Sequence, residues 1–297
     1  MVTITPQQVQ KLREITSAGI LDCKKALESC DGDHEKAIQF LREKGKASAA
    51  KKAGRSAGEG LISCVISADK KKGGIVELNC ETDFVARTKG FQEFSKQLAL
   101  TASEKSIVSA EILAQTTLNN STETADGAVK EKIGQLGENM KIKRAASFSG
   151  TETFLSSYIH SPAQDFPECG KLGVLLEISS GAAASALDEL GKELCMQVAA
   201  ANPKWVKKED VPSDIVEKEK AIYLEQCKQS GKPEIAWPKI LDGKLNDFFK
   251  QFCLLQQGHV RDSSGKTPIE NIVKDASQKA GAPITVTRFL RYKVGEE

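Results

Sequence analysis

The chain repeats one pattern, and that repeat restricts the fold more than any other feature of its 297 residues. In the first copy Leu61 to Ile66 has strand composition, Lys70-Lys71-Lys72-Gly73-Gly74 reads as a turn, and Ile75 to Leu78 returns, the signature of a β-hairpin. In the second copy Phe154 to Ile159 is followed by a longer loop and by Gly173 to Leu176. Each hairpin feeds a helix with apolar residues at i, i+3 and i+7: Phe91, Phe94 and Leu98 in one, Leu187, Leu190 and Leu194 in the other. Each copy then closes with a polar helix, about 122–138 and 268–280, and a strand. The closing strands align so that Arg144 matches Arg288 and Phe148 matches Tyr292. Two related β-β-α…α-β subdomains make the expected class α+β.

The copies differ in two places. The second carries an extra segment, 203–265, with helical patterns over Asp214–Gln226 and Lys239–Leu255. Two antiparallel helices there form either an interaction arm, open to self-association, or a solvated decoration. The first copy has Cys80-Glu81-Thr82-Asp83-Phe84-Val85-Ala86-Arg87 between hairpin and helix, where the second has the bland Ser179-Ser180-Gly181-Ala182-Ala183-Ala184. An acid beside an aromatic is therefore not required by the fold at that junction. Either Thr82 or Asp83 caps the helix while Phe84 packs inward, or the segment presents an acidic–aromatic tip of hot-spot composition.

Ahead of the repeat, residues 4–45 read as three short helices. Thr5-Pro6-Gln7-Gln8 combines an N-cap, a first-turn proline and a capping-box glutamine, with Ile4 and Val9 spaced as a hydrophobic staple. Gly19 is the expected end of that helix. Ile20 and Leu21 fall in the following turn, either tucked onto the head or exposed as a knob for a partner. A second helix spans about 22–30, and a third starts at Asp33 and stops near Gly45. A basic helical linker, 46–59, continues the lysine-rich stretch that begins at Lys44 and includes Lys46, Lys51, Lys52 and Arg55. No aromatic residue interleaves it for base stacking. The expected organisation is head 1–45, linker 46–59, first subdomain 60–149, second subdomain 150–202 and 266–297, and arm 203–265.

Composition narrows the function. Lysine and arginine number 42 against 40 acidic residues, a net charge of +2, which is not the field of a dedicated nucleic-acid binder. The longest apolar runs are far below the ~20 residues of a membrane span, and Met1 to Gln10 lacks a basic start and an apolar stretch, so no secretory signal is expected. The eight cysteines show no C-x-x-C spacing and sit mostly in apolar context, reading as reduced core residues of a cytoplasmic protein. With three histidines, no zinc pattern can be built and acid–base chemistry has little support. His34 and His259 read as solvated, and His160, at a strand end, is a candidate contact. Gly265-Lys266-Thr267 resembles the end of a phosphate loop, but Val260 stands where its first glycine belongs. No metal, cofactor or covalent catalysis is expected.

Several longer motifs together resemble the translation elongation factor Ts family, exchange factors for the GTPase elongation factor Tu. They are Leu12-Arg13-Glu14-x-Thr16-x-Ala18-Gly19 with Asp22-Cys23-Lys24-Lys25-Ala26-Leu27, then Ala49 to Arg55, then Asn79 to Ala86. The resemblance implies a ubiquitin-associated-like head, a core of two related subdomains and a helical protrusion. It implies that Thr82, Asp83, Phe84 and Val85 enter the partner near its magnesium site. It also implies that Arg13, Ile20 and Leu21 touch the nucleotide-binding domain and that His160 meets another partner domain. The loop 162–169 is longer than the common pattern, which bears on His160, and the tail at Gly295-Glu296-Glu297 shows no further helix. The alternative from the residues alone is a ribosome- or RNA-binding accessory protein using 44–55.

Overall fold

The computed structural model describes residues 3–16, 18–231, 233–262 and 265–296; Met1 and Glu297, at the two ends, lie outside them. The protein is a mixed α+β chain with two antiparallel sheets. Three helices come first: α1 (Pro6–Thr16), α2 (Ile20–Ser29) and α3 (His34–Lys52). The capping box forms, with Thr5 N–H donating to Gln8 Oε1 at 2.9 Å and Gln8 N–H to Thr5 Oγ1 at 3.3 Å. Asp33 caps α3, accepting from the backbone of Glu35 and Lys36. Val9, Leu12, Cys23, Ala26, Leu27 and Ala37 make the small core of this bundle.

Two expectations for the head need correction. Helix α1 ends at Thr16, and Gly19 instead precedes α2 in extended conformation, so Ile20 and Leu21 are the first turn of a helix and not a loop. The third helix does not stop near Gly45 but runs on through the basic stretch to Lys52. Gly45 is buried because α3 crosses a helix of the following domain there, and a buried contact overrides the weak helix-breaking tendency of one glycine.

Next come β1 (Glu59–Ile66) and β2 (Lys72–Cys80), then α4 (Asp83–Ala86), α5 (Lys89–Glu104), α6 (Ala110–Gln115), α7 (Ala125–Leu136) and β3 (Met140–Ser149). The second repeat gives β4 (Thr153–His160), β5 (Cys169–Gly170), β6 (Leu172–Ser180), α8 (Ala184–Ala201), α9 (Ser213–Gln229), α10 (Trp237–Phe252), α11 (Ile269–Ala280) and β7 (Ile284–Lys293). Gly73 and Gly74 lie inside β2, not in its turn: a Cβ on Gly74 would stand 2.4 Å from the Ala99 carbonyl oxygen of α5. The strand order is β3-β2-β1-β5 in one sheet and β4-β6-β7 in the other. The β5 residues come from the long loop of the second repeat and extend the first sheet by pairing with Ile62 and Ser63.

Alternation along the strands explains the layering. Leu61, Val65, Val76 and Leu78 face α5 and α7, whereas Ile62, Cys64 and Ile75 face Leu155 and Leu175 of the second sheet. Val174, Leu176 and Ile178 face α8 and α11. The order through the protein is helices, sheet, sheet, helices. The closing strands seal the sheet-to-sheet contact reciprocally. Arg144 of β3 bonds to the buried Glu77 at 2.5 Å and stacks 4.3 Å over Tyr292 of β7. Arg288 of β7 pairs with Glu177 and stacks 4.1 Å over Phe148 of β3. Both sheets shift register at the same point, Glu77/Leu78 and Glu177/Ile178.

Helices α9 and α10 pack on each other around Val211, Phe248 and Cys253. The flanks of this segment belong elsewhere: Val206 and Leu254 are buried in the core of the second sheet. His259, expected in solvent, is largely covered and lies 3.0 Å from Glu193. All eight cysteines are free thiols, seven of them buried. Among the described residues no helix is long and apolar enough to cross a membrane, and no cluster of side chains fit to hold a metal ion occurs.

Two outcomes test this packing. A Cβ on Gly45 meets Gly134 Cα at an ordinary 3.6 Å, but one on Gly134 meets Gly45 Cα at 2.6 Å. Gly45→Ala should therefore be neutral in thermal melting, while Gly134→Ala should destabilise by ~1–3 kcal/mol and expose 46–56 to protease. Replacing 213–252 by a short Gly/Ser linker should leave one cooperative unfolding transition. Removing all of 203–265 should lower the midpoint as well, because Val206 and Leu254 leave the core with it.

Candidate partner-binding site

Strand β2 ends at Cys80, and the chain turns into the four-residue α4 before α5 begins. Thr82 is extended at the N-cap, its hydroxyl accepting from Val85 N–H at 3.4 Å. The helix is then stopped and restarted: Thr88 caps α5, and its hydroxyl donates to the Val85 carbonyl at 2.8 Å. Ala86 and Val85 turn toward the core of the first sheet. With those two inward, the helical period points Phe84 away, and the residue is 78 % exposed. Thr82 thus does the capping, but Phe84 does not pack inward. A large aromatic held in solvent on a fixed turn is the unusual feature of this surface.

Asp83 is partly exposed and pairs with Arg87 at 2.7 Å, one helical turn on. Such an exposed pair is worth only ~0.3–0.5 kcal/mol, so the carboxylate is accessible to a stronger cation. Beneath the tip, Thr82 N–H and Oγ1 donate to the two Glu138 oxygens at 3.0 and 2.6 Å. Cys80 Sγ donates to the Thr82 carbonyl at 3.1 Å. Burial, aided by the Glu138 charge, pushes that thiol up to about 12, so it stays a protonated donor.

The sequence marks Thr82 to Val85 as a candidate segment and does not single out Glu138 and Arg87, which the structure places against it. Arg87 was legible as an i,i+4 partner once a helix starts at Asp83. For Glu138 the one local signal is Gly137, the left-handed residue that ends α7, and it says nothing of what lies across.

The head residues lie on another surface. Arg13 and Ile20 line a shallow groove with Ile4, Pro6, Val9 and Lys24 between α1 and α2. Ile20 and Leu21 are 56 % and 73 % exposed, so they project from the first turn of α2 and are not tucked onto the head. His160 is exposed at the end of edge strand β4, with Nδ1 3.1 Å from the Tyr158 hydroxyl. The structure does not merge these groups into one pocket: tip, head groove and strand end are separate surfaces. Of the basic stretch, Lys44 pairs with Asp22 at 2.7 Å and Arg55 lies 3.5 Å from Glu81. These engaged cations reduce its value as a landing strip for phosphates.

The arrangement suits binding to a protein surface at several points, with a protruding aromatic and acid as the small, stiff element. Comparison with known proteins gives the class. The family model described as Elongation factor TS matches residues 81–296. An elongation factor Ts of Clostridium botulinum (strain Eklund 17B) is 44% identical over 293 residues, covering 99% of this chain and 93% of the relative. One of Clostridium perfringens (strain SM101) is 42% identical over the same coverage. The chain belongs to the elongation factor Ts family.

The exposure of Phe84 sets an expectation for stability. Truncating a buried phenylalanine costs ~3–5 kcal/mol, but Phe84→Ala should shift the urea midpoint by no more than ~0.5 kcal/mol equivalent. Phe91→Ala, at a fully buried position, should show the large loss in the same experiment.

Proposed function

We propose that this chain is a guanine nucleotide exchange factor that binds elongation factor Tu in its GDP form and promotes GDP release during translation elongation. Membership of the elongation factor Ts family supports the partner and the process. The observation that carries the mechanism is Phe84, presented in solvent beside Asp83 on a turn fixed from below.

In this reading Phe84 is a wedge between elements of the GTPase, and Asp83 places a carboxylate near its magnesium. GDP is held by backbone donors around its phosphates and by the bridging ion. A wedge that disturbs that environment removes part of the affinity, and each ~1.4 kcal/mol taken from the barrier speeds release tenfold. By linkage, whatever weakens the nucleotide must bind the empty GTPase more tightly, so incoming GTP displaces the factor. Arg13, Ile20 and Leu21 supply a second contact that adds affinity, and His160 a third. No group of this chain forms a covalent bond in the cycle.

The matching organisation is a ubiquitin-associated-like head whose third helix runs on through the basic stretch to Lys52, followed by a first subdomain over 60–149. A second subdomain over 150–202 and 266–297 carries a helical arm, α9 and α10, within 203–265, whose flanks return to its core. A translation factor of this kind works in the cytoplasm.

Fluorescent GDP bound to elongation factor Tu should leave faster on addition of this protein. Phe84→Ala should reduce that acceleration at least ~tenfold, in keeping with an interface hot spot, and Asp83→Asn should reduce it less. Lowering free magnesium should narrow the gap between wild type and variants. An unchanged release rate with wild-type protein would refute the reading.

A further inference from the structure

Helix α4 spans Asp83–Ala86, a single turn, and one turn cannot hold its own orientation in water. Its cap bond, 3.4 Å from Val85 N–H to Thr82 Oγ1, is long. What fixes the turn comes from 56 residues away in sequence. Glu138 receives both donors of Thr82, the backbone N–H at 3.0 Å and the hydroxyl at 2.6 Å. Two bonds to two different parts of one residue set direction as well as distance.

Glu138 is itself held. Its neighbour Asn139 is buried and donates its side-chain amide to the carbonyls of Arg55 at 2.8 Å and Ala53 at 3.5 Å. Asn139 N–H donates to Glu81 Oε1 at 2.7 Å, the same oxygen that lies 3.5 Å from the Arg55 guanidinium. The end of the linker, the 137–139 loop and the tip are therefore one hydrogen-bonded unit. The sister junction after β6 has no acidic–aromatic tip.

Building on the exchange reading above, we propose that Glu138 is a positioning residue for nucleotide release, fixing the angle at which Thr82 presents Asp83 and Phe84 to the GTPase. Glu138 acts through Thr82 and does not itself touch the nucleotide site. Its loss should lower the maximal release rate, where geometry counts, and leave affinity, which draws on the separate head surface, nearly unchanged.

The test uses the full chain and elongation factor Tu loaded with fluorescent GDP, with release measured across exchange-factor concentration. Glu138→Gln keeps the shape but offers one acceptor to two donors, and Thr82→Val removes the hydroxyl. Each should cut the maximal rate roughly tenfold, with the half-saturating concentration and the melting midpoint close to wild type. Thr82→Ser, which keeps the hydroxyl, should restore most of the rate lost in Thr82→Val. The double variant Glu138→Gln/Thr82→Val should be no slower than the worse single variant, because both break one contact. Wild-type rates in both single variants, multiplicative loss in the double, or losses that track a lowered melting midpoint would overturn the Glu138 assignment while leaving the exchange reading intact. No acceleration by the wild-type chain would overturn the exchange reading and the assignment with it.

Discussion

The packing of one sheet against the other is the contact on which the remaining structure depends. Each repeat alone is a small sheet with helices on one face, and its second face must be covered. Ile62, Cys64 and Ile75 from one half and Leu155 and Leu175 from the other do this. The seam is polar at its rim: Glu77 is fully buried and would be costly without Arg144, which reaches across to Tyr292. The same arrangement recurs with the halves exchanged, Glu177 with Arg288 over Phe148. A guanidinium that satisfies a carboxylate in its own sheet while stacking on a ring of the other ties strand register to sheet docking.

Symmetry of the platform makes its asymmetries informative. Both hairpins feed a helix, yet the first pauses for α4 and the second goes directly into α8. The extra turn places a phenylalanine in water, which fold stability does not reward. The other asymmetry runs the opposite way. The loop before β6 sends Cys169 across to the first sheet, where its Sγ lies 3.0 Å from Ser63 Oγ and Lys96 bonds Glu168 at 2.6 Å. That strap covers the edge of β1 and joins the halves a second time. The tip thus stands on a base whose two sheets are joined at two places.

The head is attached to this base by a close helix crossing, not only by a tether. Gly45 of α3 and Gly134 of α7 approach nearly backbone to backbone, and Ala49, one turn on, enters the core of the first sheet. The α3 helix thereby carries the orientation of the Ile20–Leu21 surface to the domain that bears Phe84. The head surface and the tip are held in one fixed relation by the α3–α7 crossing.

Local chemistry determined a large part of this by itself. The repeated hairpin-helix pattern, the Thr5–Gln8 capping box, the paired helices after residue 203 and the odd composition of Thr82 to Val85 are all written in spacing, because periodicity and capping act over a few residues. The comparison of the two junctions marked Phe84 as dispensable to the fold, and its exposure agrees with that. Tertiary structure decided the rest. Whether α3 ends at Gly45 or runs to Lys52 depended on a glycine 89 positions later, Gly134, lying opposite it. Whether Phe84 turned in or out depended on Val85 and Ala86 taking the core side. The short strand of Cys169–Gly170 and the grip of Glu138 on Thr82 have no local signature at all. Hydrogen-bond partners far apart in sequence are chosen by where folding brings the chain, and a single sequence records the donors and acceptors without recording which of them meet.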